Sequence, residues 1–331
     1  MQTEGRTEER YAPQARFIGK RGQEMLFAGS AAVVGLGALG SVSAELLARA
    51  GLGKLILIDH DIVELSNLQR QMLYDETDLN KTKASVAEVK LKKINSDVGI
   101  VSYAEHLNEK NIAEILKGAD VVLDCTDNFE TRFLIDEYCG RNRIRWIHAA
   151  AAGSVGNILP IMGDYCLRCV FTEGSGLNCD DMGILNTASA MVAALQVTEA
   201  IKVLIGKKPI NGLIRTDVWN NKYDVLKVER KKSCVCAAGT ETKMGKNQTG
   251  FTVGKCKTRA ACSAKPLGRV KLNLAKIKKE FEVLVDTPVA LVVKEEGIEI
   301  IVHSYGELIF KSFYDEEKIK KIAEKIYRVG K

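Results

Sequence analysis

Apolar runs and helical stretches alternate along the first half of the chain. Residues 31–35 (AAVVG) form a short apolar run ending at glycine, and Leu39, Val42, Leu46 and Leu47 follow at helical spacing. Residues 54–59 (KLILID) are a second apolar strand ending in an acid, separated by a polar stretch from a helix over about residues 81–95. Residues 99–103 read as a strand, 112–117 as a short helix, 119–125 (ADVVLDC) as a buried strand, 128–141 as a helix, and 145–149 as the start of a further strand. Residues 7–28 look like an amphipathic segment leading into the first strand. Strands that are apolar throughout, each followed by a helix, predict an α/β protein with a largely parallel sheet and helices on both faces.

After residue 150 the pattern changes. Small and polar residues run through AAAGSVGNILPIMG to CLRC and on to Cys179. Residues 184–205 are compatible with one long helix, and residues 188–204 (ASAMVAALQVTEAIKVL) carry apolar or small residues on most sides, which predicts burial. Residues 212–228 read as a pair of strands around NNKYD. Residues 240–268 are rich in Gly, Lys, Thr and Ala and weakly periodic, so they read as a linker. A small α+β unit follows, closing in a lysine-rich amphipathic helix over residues 315–327. The division predicted is 1–238, a basic linker over 239–269, and a small domain over 270–331.

Composition narrows the class. Hydrophobic residues make up 46% and charged residues 27%, which rules against a largely disordered chain. The net charge of +6 points to an anionic partner until it is divided. Residues 1–230 hold 27 Lys and Arg against 30 Asp and Glu, a net of −3, whereas residues 231–331 hold 21 against 12, a net of +9. The positive excess therefore belongs to the last third. The first sixteen residues are charged and carry no apolar core of a secretion signal, which predicts a cytoplasmic location. Two uncharged stretches, 28–44 and 182–198, approach spanning length, but their small and polar residues fit buried segments better, so no membrane is expected. In such a chain the nine cysteines suggest metal or catalysis more than disulfides. The four histidines are scattered in sequence and do not suggest a histidine metal site.

Candidate chemistry clusters at the ends of the early strands. Gly35, Gly37 and Gly40 form GLGALG between a strand and a helix, where glycine permits a tight turn and a helix N-terminus favours phosphate. Asp59 ends the next strand, where an acid can accept from ribose hydroxyls. That loop by itself suits a nicotinamide-dependent oxidoreductase. Arg70, in SNLQRQ, and Lys83 shift the reading, because substitution at a triphosphate needs cations to offset phosphate and pyrophosphate charge. Asp127 and Asn128 follow a later strand at the ligand-binding edge, and a carboxylate there suits Mg²⁺. Asp124, in the same DCTDN, reads rather as structural. Cys125 and Cys139 read as buried small hydrophobes.

GLGALG, ILIDHDIVELSNLQRQ, Lys83, VLDCTDN and CLRC, in this order and spacing over about residues 8–237, resemble the ThiF/MoeB/HesA family of ubiquitin-activating-like adenylyltransferases. The resemblance implies a Rossmann-like fold and ATP-dependent adenylation of the C-terminal glycine of a small β-grasp sulfur carrier or ubiquitin-like protein, with release of pyrophosphate. It implies that Asp59 holds the ribose, that Asn67, Arg70 and Lys83 contact phosphates, and that Asp127 positions Mg²⁺. Cys166, Cys169, Cys234 and Cys236 fall where the family holds structural zinc, although the second pair is CxC, with Ser233 where a cysteine is expected. Two separate thiol pairs, with Cys256 or Cys262 lending a ligand, are the alternative. Cys179 matches a crossover-loop cysteine that is a nucleophile in some relatives. The resemblance also implies a homodimer with an arginine acting across it, but Pro13 stands at that position, leaving Arg10 or Arg16. An RNA-directed protein using the basic C-terminal region is the remaining alternative. It is weakened by the single aromatic residue, Phe251, between 242 and 279.

Overall fold

A computed structural model describes residues 2–171, 182–232, 234, 236, 250–256, 261–266 and 270–331. The segment leading into the first strand is two helices, α1 (Gln2–Ile18) and α2 (Lys20–Ala28), parted by Gly19 at φ 83°. A sheet of order β3-β2-β1-β4-β5-β6-β7-β8 follows. Its strands are β1 (Ser30–Val34), β2 (Lys54–Ile58), β3 (Gly99–Tyr103), β4 (Val121–Asp124), β5 (Arg145–Ala152), β6 (Val155–Ile161), β7 (Leu213–Asp217) and β8 (Lys222–Leu226). Strands β3, β2, β1, β4 and β5 are parallel, and β6, β7 and β8 run antiparallel beyond them.

The apolar runs are explained by two buried faces. Ala31 and Val33 of β1 enter one core with Leu55, Leu57 and Leu123, while Ala32 and Val34 enter the other with Ile56, Ile58 and Val122. Side chains alternate along a strand, so a strand covered on both sides must be apolar at every position. Helices α3 (Gly40–Arg49), α4 (Lys83–Ile94), α6 (Phe129–Asn142) and α7 (Asn186–Leu204) cover it, with a single turn, α5 (Ile112–Ile115), before β4.

Helix α7 is long and apolar enough to cross a membrane by length and composition. Its apolar side is used within the protein: Val192, Ala193, Val197 and Ala200 join the first core, and the helix packs on β5, β6 and α3. Thr187, Ala194 and Thr198 are exposed, so its burial is one-sided, not complete.

A second sheet, of order β11-β12-β13-β14-β10-β9, lies toward the C-terminus. It comprises β9 (Phe251–Cys256), β10 (Ala261–Pro266), β11 (Glu282–Asp286), β12 (Ala290–Glu295), β13 (Ile298–His303) and β14 (Leu308–Lys311), all antiparallel, with helices α8 (Leu274–Glu280) and α9 (Glu316–Gly330). Residues 251–256 and 261–266, expected to be linker, therefore belong to this sheet. Their weak periodicity hid backbone pairing, of β9 with β10 and of β10 with β14, which needs no alternation to form. One face of the sheet buries Leu291, Val293, Ile300 and Val302 under α8 and α9. The other buries Ala290, Val292, Ile301 and Ile309 against Ile62 and Ala104 of the first sheet's loops.

Candidate functional site at the strand ends

From β1 the chain goes to β2 and β3 on one side, then crosses to β4 on the other, so the strand order reverses between β1 and β4. Loops diverge at such a point and leave a crevice at the carboxyl ends of the strands. Val34 pairs with both Ile58 and Asp124, so the segments after β1, β2 and β4 emerge side by side.

The glycine loop fills the start of that crevice. Gly35 has φ +85°, and a Cβ on it would meet the Cys125 carbonyl at 2.8 Å. A Cβ on Gly40 would fall 1.8 Å from the Gly35 carbonyl oxygen. Gly37 differs: a Cβ there would find only Gln71 Nε2, at 3.7 Å. Protein packing thus demands glycine at 35 and 40, while space at 37 is open for a ligand. Asp59 braces the loop, since its Oδ2 accepts from Leu36 N at 2.6 Å and its Oδ1 from Asp61 N at 2.7 Å. Each oxygen keeps a second lone pair for a ribose hydroxyl. Tyr74 donates to the Leu36 carbonyl at 3.0 Å, tying the loop after β2 to the glycine turn.

The sequence-predicted polar residues divide by burial. Asn67 is buried, and its Oδ1 accepts from Glu64 N at 3.2 Å in a reciprocal cap. Arg70 is half-buried and donates to the Ser66 carbonyl at 2.9 Å. Lys83 opens α4, is 3% exposed, and pairs with Asp61 Oδ2 at 3.0 Å. Asp127 is exposed in the turn after β4, and Asn128 caps α6 through Thr131 N at 2.9 Å. Asp124 is fully buried and accepts from Thr126 N and from His148 Nδ1, the latter at 2.7 Å. Burial opposes its charge, but the bonds from His148 and Thr126 and the nearby Arg132 guanidinium leave the carboxyl below its ordinary range. Burial keeps the His148 imidazole below its ordinary value as well, so the ring is the neutral partner. Gln196 of α7 locks this layer by donating to the Asp124 and Ile147 carbonyls, each at 2.9 Å. Cys125 and Cys139 lie buried, with thiols pushed up by desolvation.

Sequence reasoning missed Asp61, Gln71, Tyr74 and His148. Asp61, two residues past Asp59, and Gln71, which ends SNLQRQ, carried a local signal; Tyr74 and His148 did not. It also read the histidines as scattered. His60, His106 and His303 converge beside Asp61, because the loops after β2 and β3 and the end of β13 meet there.

A second cluster lies apart in sequence. Cys166 Sγ is 3.8 Å from Cys169 Sγ and 3.3 Å from Cys234 Sγ, and Cys169 Sγ is 3.6 Å from Cys236 Sγ. Among the described residues this is the group whose ligand atoms could hold one metal ion. Tetrahedral zinc with Zn–S bonds of about 2.3 Å sets sulfurs about 3.8 Å apart, so the donor set fits. The CxC spacing is accommodated, and Cys262 is instead buried in the core under α8 and α9. Burial pushes the Cys166 thiol up and that of Cys236 to about 11, whereas the Cys169 thiol, despite its burial, is held below its ordinary value by backbone N–H groups; a bound cation would favour the thiolate form. Cys179 lies outside the described residues, as do Ser233 and the side chain of Cys256. Near the N-terminus, Arg10 hydrogen-bonds Asn95 of its own chain, and Arg16 is exposed.

An open glycine turn, Arg70 and Lys83 on the segments after β2, and the exposed Asp127 after β4 thus stand around one strand switch point of an α/β protein. Residues 11–238 match the ThiF family model, and the chain belongs to that family. It is 37% identical to the sulfur carrier protein ThiS adenylyltransferase of Bacillus subtilis, over 70% of this chain and 72% of that protein. It is 32% identical to the SAMP-activating enzyme E1 of Haloferax volcanii, over 67% and 85% respectively. It is 37% identical to the molybdopterin-synthase adenylyltransferase of Haemophilus influenzae, over 62% and 88%. A crystal structure of Escherichia coli MccB with MccA-N7isoAsn shares the fold at a TM-score of 0.63 and 23% identity, covering 69% of this chain and 74% of that one.

Proposed function

We propose that this chain is an adenylyltransferase that uses ATP to activate the C-terminal glycine of a small β-grasp protein, a sulfur carrier or ubiquitin-like modifier. The observation that carries the reading is the meeting of the glycine turn, the Arg70 and Lys83 segments and Asp127 at one crevice, within residues that match the ThiF family. Relatives named as adenylyltransferases and as an activating E1 support it.

In the reaction, a carboxylate oxygen of the carrier attacks the α-phosphorus of ATP. The bond from that phosphorus to the β-phosphate oxygen breaks, and pyrophosphate leaves an acyl-adenylate behind. The chain's part is to position and to neutralise. The open space at Gly37 admits phosphate, Asp59 holds the ribose, and Asn67 shapes the loop that carries Arg70. Arg70 and Lys83 offset charge on the phosphates. Asp127, with Asn128 beside it, would hold Mg²⁺, which when bound adds positive charge at the phosphate oxygens. Cys166, Cys169, Cys234 and Cys236 would hold zinc as a structural clamp. Cys179 remains a candidate nucleophile for a later sulfur-transfer or conjugation step.

A protein partner fits the edge of the first sheet. Every residue of β8 is exposed, including Tyr223, Val225 and Leu226, and Trp219 beside it is 72% exposed. Among the described residues β8 pairs on one side only, with β7, and an exposed edge strand with apolar positions suits a partner that adds its own sheet. We also propose a cytoplasmic homodimer in which Arg16 reaches the second protomer's nucleotide, since Arg10 is engaged within its own chain.

The test is pyrophosphate–ATP exchange with a range of β-grasp proteins. Exchange that depends on one of them, and falls by about 10²-fold in Arg70→Ala, is expected. No partner-dependent exchange, or full activity in Arg70→Ala, overturns the reading.

A further inference from the structure

Lys83 is the most deeply buried cation at the crevice, 3% exposed, and a buried ammonium must be held by an anion. Asp61 holds it twice, through Oδ2 to Nζ at 3.0 Å and through its carbonyl to the Lys83 N–H at 2.9 Å. Part of what borders Asp61 comes from the other end of the chain. Its Oδ1 lies 3.5 Å from His60 Nε2 and 3.9 Å from His303 Nε2. His303 ends β13 of the C-terminal sheet and is 1% exposed.

Tyr305, two residues on, fastens the same corner. Its ring meets His60 edge-on at 4.4 Å and stacks on His106 at 5.0 Å and 16°. Beneath the rings, Ile62 packs against Val289, Ala290, Val292, Ile301 and Ile309. This seam therefore joins the loops after β2 and β3 to β12, β13 and β14 with an apolar floor and an aromatic rim. An apolar floor alone would dock the sheet; it would not require a histidine beside the carboxylate that holds the phosphate-facing lysine.

We propose that His303 and Tyr305 of the C-terminal sheet are positioning residues for ATP, acting through Asp61 on Lys83. This rests on the assignment of Lys83 to the ATP phosphates. Tyr305 fixes the His60 ring, His60 and His303 flank one oxygen of Asp61, and the other oxygen orients Lys83. The C-terminal sheet thereby becomes part of the nucleotide site without touching the nucleotide.

The experiment is a double-mutant cycle on the full chain, read as the ATP dissociation constant by calorimetry and as KM and kcat in pyrophosphate exchange. His303→Ala should weaken ATP binding roughly tenfold, raising KM more than it lowers kcat. His303→Gln, which keeps volume and a polar nitrogen, should recover most of the loss. In an Asp61→Asn background His303→Ala should have no further effect, because the route to Lys83 is already broken. Tyr305→Leu, which removes the ring at a half-buried position, should give a smaller change of the same kind. An equal loss in both backgrounds overturns the proposal, as does a loss confined to thermal stability or to the fraction of active protein. ATP binding with this coupling but no exchange would support the proposal and refute adenylation. Exchange without the coupling would do the reverse, and no ATP binding at all would refute both.

Discussion

Gly37 and Gly40 stand three residues apart in one loop, and the structure predicts opposite outcomes for replacing each by alanine. At Gly40 the new Cβ would sit 1.8 Å from the Gly35 carbonyl oxygen, 2.8 Å from its carbon and 3.2 Å from Cys125 Cβ. Ordinary contact begins at 3.4 Å, so the turn would have to move by about 1.6 Å. It has little room, since Gly35 N donates to the Ile58 carbonyl at 2.8 Å and Leu36 N to Asp59 at 2.6 Å. Overpacking of this kind costs about 3 kcal/mol, roughly a hundredfold in the folded-to-unfolded ratio. The better helix propensity of alanine returns at most about 1 kcal/mol. At Gly37 the nearest atom is 3.7 Å away and φ is not left-handed, so Gly37→Ala should leave stability unchanged or raise it by up to about 1 kcal/mol. If phosphate lies against Gly37, that same variant should lose ATP affinity by at least about tenfold. Denaturant unfolding and ATP calorimetry on both variants are the measurements. Wild-type stability in Gly40→Ala would refute the turn geometry, and wild-type ATP affinity in Gly37→Ala would refute the phosphate assignment.

Two further outcomes follow from the buried clusters. Cys234→Ser and Cys236→Ser should each release zinc, seen by elemental analysis, and cost about 4 kcal/mol of stability; metal retained in both would show that the CxC pair does not ligate. Burial holds the folded His148 imidazole below its ordinary 6.5, so its contribution to stability is complete above that pH and is lost as pH falls through the folded value. Asp124, also held low, contributes fully above its ordinary 3.8 and loses that contribution below it. Unfolding free energy measured against pH should therefore begin to fall below about 6.5, and His148→Gln should flatten the upper part of that decline; an unchanged profile counts against a neutral buried ring.

The parts of this protein that are local were legible in its residues. Alternating apolar strands and helices follow from covalent geometry and burial, so 31–35, 54–59 and 119–125 read as strands of a two-faced sheet. The glycine turn and the SNLQRQ and DCTDN segments are contiguous, and each carries its chemistry within a few residues. With family membership established, the dinucleotide alternative drawn from the glycine turn alone falls away. The strands at 251–256 and 261–266 were not legible, because their backbone hydrogen bonds, to each other and from the second to β14, leave no mark on side-chain pattern.

Tertiary structure decided everything that depends on distant residues meeting. It brought Cys166 and Cys169 to Cys234 and Cys236, and it showed that a one-residue spacing still lets four sulfurs gather. It placed Asp124 out of reach of solvent, against His148 and Gln196, and left Asp127 exposed three residues on. It turned three histidines that looked scattered into one corner around Asp61. Residues alone determined most of the elements of the first sheet and where the glycine turn and its polar neighbours fall, since those rest on short-range sterics and periodicity. Which carboxylate braces the glycine turn, which is buried and which stays exposed, and what the C-terminal sheet touches rest on contacts between segments from 23 residues apart (Leu36 and Asp59) to 242 (Asp61 and His303), and only the fold sets those.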